Sequence, residues 1–98
     1  MRLKEREKNL IIAIFKNTFI HGALYLFGSR VDDTAKGGDI DLYIVPDDFN
    51  KLAEKKVDFL VRLKKIIGEQ KIDVVIDRRL NRTIDRVARE QGVLLCQN

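Results

Sequence analysis

The sequence contains a single cysteine, and no apolar run approaches the length of a membrane-spanning helix. Cys96 cannot form an internal disulfide, so the cysteine content gives no indication of secretion. A spanning helix needs about 20 consecutive apolar residues. The charged residues at the start of the chain are not followed by the apolar segment of a signal peptide. We therefore expect a cytoplasmic protein that does not associate with a membrane.

Linkers, low-complexity stretches and internal repeats are also lacking in these 98 residues, which predicts one small domain over the whole chain, 1–98. Charged residues make up 35% of the chain and leave a net charge of +4. Many basic residues alternate with acidic ones, which is typical of solvated helix surfaces. A modest positive charge is compatible with phosphate-rich ligands, but the scattered lysines do not predict binding to a nucleic acid duplex.

The apolar periodicity predicts an α/β domain in which a small mixed β-sheet is covered by helices. The expected order is helix, strand, turn or short helix, strand, helix, strand, helix. Helices are expected over 1–20, 49–67 and 81–91, and strands over 23–27, 39–45 and 71–77. Residues 93–95 follow as a short strand or a docked tail. In the second helix, the residues expected to form the apolar stripe facing the core are Phe49, Leu52, Ala53, Val57, Leu60, Leu63 and Ile67.

Acidic residues inside apolar strands are the most informative feature of the sequence. Aspartate is depleted in strands, yet Asp39 and Asp41 flank Ile40, and Asp73 lies in the third predicted strand. Because strand side chains alternate between two faces, Asp39 and Asp41 share one face. If the two strands are neighbours in the sheet, Asp73 lies on that face as well. The pattern predicts that three carboxylates gather at one place.

Gathered carboxylates repel one another unless a cation joins them, and Mg²⁺ suits carboxylate, water and phosphate oxygens. One or two Mg²⁺ ions at Asp39, Asp41 and Asp73 would then hold the reacting oxygens of a phosphoryl displacement. The alternative is structural: Asp39 caps a turn, Asp41 lies at an exposed edge, and Asp73 pairs with a lysine. Asp77, at the end of the same strand, is expected to be a solvated residue.

A glycine-serine pair closes the first predicted strand. Gly28 allows the backbone to approach a phosphate, and exposed N–H groups at the start of a helix bind anions. The Ser29 hydroxyl adds a donor, and Arg30 is within reach of terminal phosphates. Such a turn is uninformative alone, but here it precedes the Asp39–Asp41 pair by a short spacer. Tyr43, on the same strand face as that pair, either lines the nucleotide site or packs under a helix.

The motif resembles the signature of the polymerase β nucleotidyltransferase superfamily, and within it the minimal nucleotidyltransferase (MNT) group. The residues that carry the resemblance are Gly28-Ser29, a spacer, Asp39-Ile40-Asp41 on a strand and Asp73 on a later strand. The resemblance implies the polymerase-β-like fold, with Gly28, Ser29 and Arg30 at the nucleotide phosphates. It further implies that Asp39 and Asp41 hold Mg²⁺, and that Asp73 helps bind metal and activate the acceptor hydroxyl.

Many MNT proteins are antitoxins paired with an all-helical HEPN toxin, and the resemblance implies AMP transfer from ATP to that partner. The chain ends soon after Asp73, so we expect the acceptor to come from another molecule. Two alternatives stay open. The chain is either a binding subunit that neutralises or scaffolds a helical partner without chemistry, or an enzyme whose acceptor is a small molecule. Base preference and oligomeric state are not determined by the sequence.

Overall fold

The computed structural model describes residues 3–28, 39–68 and 70–98. In these ranges the helices and strands follow one another in the order that the sequence predicts. The elements are α1 (Glu5–Thr18), β1 (Gly22–Phe27), β2 (Ile40–Pro46), α2 (Leu52–Ile67), β3 (Ile72–Ile76), α3 (Thr83–Gln91) and β4 (Val93–Gln97). None of the helices in these ranges has the length and apolar character that crossing a membrane requires.

The strands of the described ranges form one mixed sheet in the order β3-β2-β1-β4. β1 runs antiparallel to both β2 and β4, whereas β2 and β3 are parallel. A parallel pair needs a crossover connection, and α2 provides it. The mixed α/β fold expected from the sequence is confirmed, and the segment after Gly92 is a strand rather than a docked tail.

One face of the sheet packs on α1 and α2 and forms the hydrophobic core. Three phenylalanines join the two helices: the rings of Phe15 and Phe19 stack at 5.6 Å, and both meet the ring of Phe59 edge-on. The sheet residues of this core alternate with those of the opposite face. They are Leu24, Leu26, Ile40, Leu42, Ile44, Ile72, Val74 and Ile76.

The second helix starts later, and is rotated differently, from what the sequence predicts. α2 begins at Leu52, so Phe49 lies before it, where its ring stacks with the Arg79 guanidinium 4.6 Å from the ring centroid. Phe59, which the expected stripe omitted, is fully buried, whereas Val57 is 61% exposed. Apolar residues occupy more than one side of this helix, so periodicity alone did not identify the side that packs.

α3 covers the opposite face of the sheet. Its buried residues are Ala88 and the charged Asp85, while the apolar Ile84 and Val87 are each 38% exposed. The helix ends at Gly92 as predicted, and β4 returns from there to pair with β1. This face therefore carries polar groups, and it includes the aspartates of β2 and β3.

Candidate active site

The parallel register of β2 and β3 brings two of the predicted site residues together. Ile40 pairs with Ile72 and Asp41 with Asp73, and the Ile40 N–H donates to the Lys71 carbonyl at 2.9 Å. Asp39 lies one residue before this ladder. Because side chains alternate along each strand, the three aspartates share the face that is opposite the α1–α2 core. The neighbouring strands assumed in the sequence analysis are therefore present.

Asp41 is the most enclosed of the three carboxylates. Burial raises its pKa above the ordinary value, and the charges of Asp73 and then Asp39 raise it further. Lys71 acts in the opposite direction. The side chains of Asp39 and Asp73 are about half exposed, at 48% and 49%. The arrangement is a partly open acidic site whose negative charges destabilise one another, so an added cation would be favourable there.

Gly28 lies directly against this site at the end of β1. Its φ is +77°, a left-handed conformation that favours glycine. A Cβ at this position would collide with the Asp41 Oδ2 atom and lie 3.1 Å from its Cγ. The preceding residue, Phe27, is the register partner of Asp41. The close approach of backbone to carboxylate thus accounts for a glycine at this position.

Lys71 is a member of the cluster that the sequence analysis did not identify. Its Nζ atom lies 3.9 Å from an Oδ2 atom of Asp39 and 3.9 Å from an Oδ2 atom of Asp73. The lysine partner for Asp73, one of the structural alternatives, is therefore present. A sequence signal for it exists, since Lys71 stands two residues before Asp73 and so shares its strand face.

The donor set fits a hard divalent cation, although it is not a complete site by itself. Within residues 3–28, 39–68 and 70–98, no group of three His, Cys, Asp or Glu side chains is arranged to hold a metal ion. Mg²⁺ does not require such a cage, because it keeps several waters and binds through one or two carboxylates plus substrate phosphates. The paired Asp41 and Asp73 carboxylates, with Asp39 beside them, meet that requirement.

A cavity of about 480 Å³ opens beside the carboxylates. Asp41, Asp73 and Lys56 provide its charged groups. Its apolar lining residues include Phe27, Val75 and Ile84. Ligand sites commonly combine mainly apolar walls with a few polar groups, in volumes of roughly 300–1,000 Å³. The exposed side of Ile84 is thus part of this cavity.

A buried polar network lies next to the site on the same face. The Tyr43 hydroxyl donates to Asp85 at 3.1 Å, and the Arg82 side chain and backbone N–H also donate to that carboxylate. Arg82 further donates to the Ile76 carbonyl at the end of β3, at 3.0 Å. The network therefore ties α3 to both β2 and β3. Of the two alternatives for Tyr43, the structure supports packing under a helix.

Asp77 does not have the solvated position that the sequence predicted. It is buried, its carboxylate accepts a hydrogen bond from the Arg79 N–H at 2.8 Å, and Arg89 lies 3.7 Å away. The Arg79 contact is a local turn, whereas the Arg89 contact depends on how α3 docks, which the sequence alone does not show. Ser29 and Arg30, the other predicted phosphate-binding residues, lie outside the described residues.

The mixed sheet and its covering helices are those of the polymerase-β-like nucleotidyltransferase fold. The chain belongs to the family described as "Polymerase beta, Nucleotidyltransferase", whose sequence profile matches residues 9–98. This confirms the family that the glycine-serine and aspartate motifs indicated. No curated protein matches the chain.

Several solved structures share the fold at low sequence identity. The MntA–HepT toxin–antitoxin complex is 20% identical over 97% of this chain and 74% of that chain, with a TM-score of 0.69. A toxin–antitoxin structure with AMP-PNP is 22% identical over 93% and 73%, with a TM-score of 0.73. A tri-AMPylated Shewanella oneidensis HEPN toxin in complex with its MNT antitoxin is 20% identical over 98% and 74%, with a TM-score of 0.72.

Proposed function

We propose that this protein transfers AMP from ATP to a hydroxyl group on a partner protein, and that the partner is a HEPN-type toxin for which this chain is the antitoxin. The observation that carries the proposal is the Asp41–Asp73 register pair beside Gly28 in a chain of the polymerase β nucleotidyltransferase family. The structures that share the fold support the choice of nucleotide and partner, since one contains AMP-PNP and another an AMPylated HEPN toxin.

The residue roles follow from chemistry and position. Asp39 and Asp41, with Asp73, would hold Mg²⁺, which when bound neutralises negative charge on the triphosphate. Gly28, Ser29 and Arg30 would contact the phosphates. Positioning and charge neutralisation would supply most of the rate enhancement, because phosphoryl transfer needs little covalent chemistry from the protein.

The transfer step is a displacement at the α-phosphorus. The acceptor oxygen forms a bond to that phosphorus while the bond to the bridging oxygen of the β-phosphate breaks, and pyrophosphate leaves. Asp73, which is about half exposed at the open side of the cluster, takes the proton of the acceptor hydroxyl. General-base assistance of this kind contributes about 10²–10⁴-fold in rate.

The test is incubation with ATP and Mg²⁺ in the presence of the proposed HEPN-type partner protein. Two parallel reactions carry the label either at the α-phosphate or at the γ-phosphate. We expect label from α-labelled ATP on the partner protein and none from γ-labelled ATP. Asp41→Asn should abolish the transfer, because it removes a charged member of the carboxylate pair.

Asp58→Asn is the matched control. Asp58 is an exposed residue of α2 that pairs with Arg62, and the substitution changes the charge equally without touching the cluster. Label in small molecules instead of protein would indicate a small-molecule acceptor. No label in any fraction, from a complex that forms equally well with wild type and Asp41→Asn, would replace the proposal with a non-catalytic binding subunit.

A further inference from the structure

Lys71 occupies one corner of a four-residue arrangement on the sheet. The register that pairs Asp41 with Asp73 sets Lys71 next to Asp39, two residues earlier along both chain segments. Three carboxylates and one ammonium group therefore share a small area of the sheet. The Lys71 Nζ atom lies 3.9 Å from both the Asp39 and the Asp73 carboxylates, so it bridges the two strands.

The position of this lysine is fixed by the sheet backbone. Its carbonyl accepts the Ile40 N–H at 2.9 Å, and strand alternation directs its side chain to the same face as Asp73. Its side chain is 67% exposed, and the two carboxylates are about half exposed. Ion pairs as exposed as these are weak and easily exchanged. The ammonium group is thus held near the carboxylates without being locked there.

We infer that Lys71 is an intramolecular counter-ion that neutralises Asp39 and Asp73 in the nucleotide-free protein and competes with a divalent cation for the same oxygens. The inference rests on the proposed function, because it concerns the cation that the site would hold. The carboxylate oxygens that Lys71 approaches belong to two of the three proposed metal ligands. A cation that binds them must therefore displace the ammonium group, and removing that group makes cation binding tighter.

The test measures binding of Mn²⁺ alone to the nucleotide-free protein, by the loss of the electron paramagnetic resonance signal of free Mn²⁺. We expect Lys71→Met to bind Mn²⁺ about two- to fivefold more tightly than wild type, the factor that one exposed ion pair contributes. Lys65→Met changes the net charge equally at an exposed position in the last turn of α2 and should leave the affinity near that of wild type. Lys71→Arg should also stay near wild type, because it keeps the positive charge.

Thermal unfolding in EDTA provides a second measurement that is independent of metal binding. In EDTA, Lys71→Met should unfold at a lower temperature than Lys65→Met, because the three carboxylates lose their counter-ion. Added Mn²⁺ should raise the melting temperature of Lys71→Met more than that of Lys65→Met. Equal Mn²⁺ affinities for wild type and Lys71→Met would overturn the inference, and so would weaker binding by the variant. Absence of Mn²⁺ binding in both would overturn the inference and the metal site together. If Mn²⁺ binds as expected but no nucleotide is transferred, only the proposed function fails.

Discussion

Single side chains at this site are constrained by very close neighbours. Gly28 has a left-handed backbone conformation and faces the Asp41 carboxylate with no room for a Cβ. Asp85 is fully buried and is the acceptor for Tyr43 and for Arg82. Substitutions at these two residues therefore distinguish an effect on the site from an effect on the stability of the fold.

Replacement of Gly28 with alanine should reduce nucleotide transfer by more than tenfold, because the new methyl group displaces the Asp41 carboxylate. Gly68→Ala is the matched control: φ is +91° at Gly68, but a Cβ there meets no atom within 4 Å. Both variants should lose about 1–2 kcal/mol of unfolding free energy from the left-handed conformation. Transfer rates and urea unfolding separate the two effects. Equal transfer by both variants would contradict the role of Gly28.

Replacement of Asp85 with asparagine should lower the unfolding free energy by about 2–3 kcal/mol, because an amide group would then face the Arg82 donors. Tyr43→Phe, which removes only one hydrogen bond to this carboxylate, should cost about 1 kcal/mol. Chemical denaturation of both variants measures these losses of unfolding free energy. Asp58→Asn, at an exposed ion pair, should cost less than about 1 kcal/mol.

The same carboxylate predicts how stability depends on pH. Hydrogen bonding from the Arg82 side chain, and then from its backbone N–H and from Tyr43, lowers the pKa of Asp85 to about 2. In the unfolded chain an aspartate titrates near 3.9, at about its ordinary value. The stabilisation is therefore complete above about pH 4 and is lost as the pH falls towards 2. Thermal melts over that range should show that the difference in melting temperature between wild type and Asp85→Asn becomes smaller as the pH falls. A constant gap would contradict this explanation.

Strand alternation predicted that Asp39 and Asp41 share a sheet face, and Asp73 joins them because β2 and β3 are neighbours. Lys71 and Asp85 were not predicted, for a different reason in each case. Its spacing from Asp73 indicates that Lys71 shares that strand face, but its contact with Asp39 depends on the parallel register of β2 and β3. Asp85 is buried because α3 docks on Tyr43 and brings Arg82 with it. An aspartate in the first turn of a helix is ordinarily solvated, and its negative charge interacts favourably with the helix dipole.

Among the elements, the connection from β2 into α2 departs most from the sequence prediction. Asp47 and Asp48 follow β2 and are of a residue type that commonly caps helices, but the residue at the N-cap is Lys51, with φ 56° and ψ 37°. Asp48 instead accepts a hydrogen bond from the Asn50 N–H at 2.9 Å and so forms a turn before the helix. The additional turn moves the start of α2 to Leu52. The ends of strands and the caps of helices are indicated by local residue types. Here the Asp48 side chain forms a turn instead of a helix cap, and the sequence does not show which of the two it forms.

Replacement of Lys51 with asparagine should stabilise the protein by about 0.5–1 kcal/mol. Asparagine tolerates the left-handed conformation better than lysine does, and it is a favoured residue at the N-cap. Guanidinium unfolding measures the difference. Lys65→Asn makes the same chemical change inside the last turn of α2 and should lower the unfolding free energy by about 0.5 kcal/mol. A loss of stability in both variants would show that the Lys51 conformation carries no strain.

At the scale of the whole molecule, the sheet separates two tasks. The face packed on α1 and α2 provides the apolar core, and the face under α3 carries the carboxylates and the polar network. The cavity opens at the β3 edge of the sheet, where residues of both faces line it. The order of helices and strands was predictable from apolar periodicity because the strands are short apolar runs. Gly or Pro also marks an end of β1, β2 and β4. The strand order was not, since it depends on contacts between residues far apart in the sequence.

The most direct test of the central claim is the single-turnover rate of AMP transfer to the partner protein by Asp73→Asn, compared with Asp47→Asn. Asp73 is the register partner of Asp41, whereas Asp47 follows the opposite end of β2. We predict a fall of about 10²–10⁴-fold for Asp73→Asn, the range that general-base assistance supplies, and a wild-type rate for Asp47→Asn. Transfer at the wild-type rate by Asp73→Asn would contradict the assignment of this carboxylate cluster as the active site.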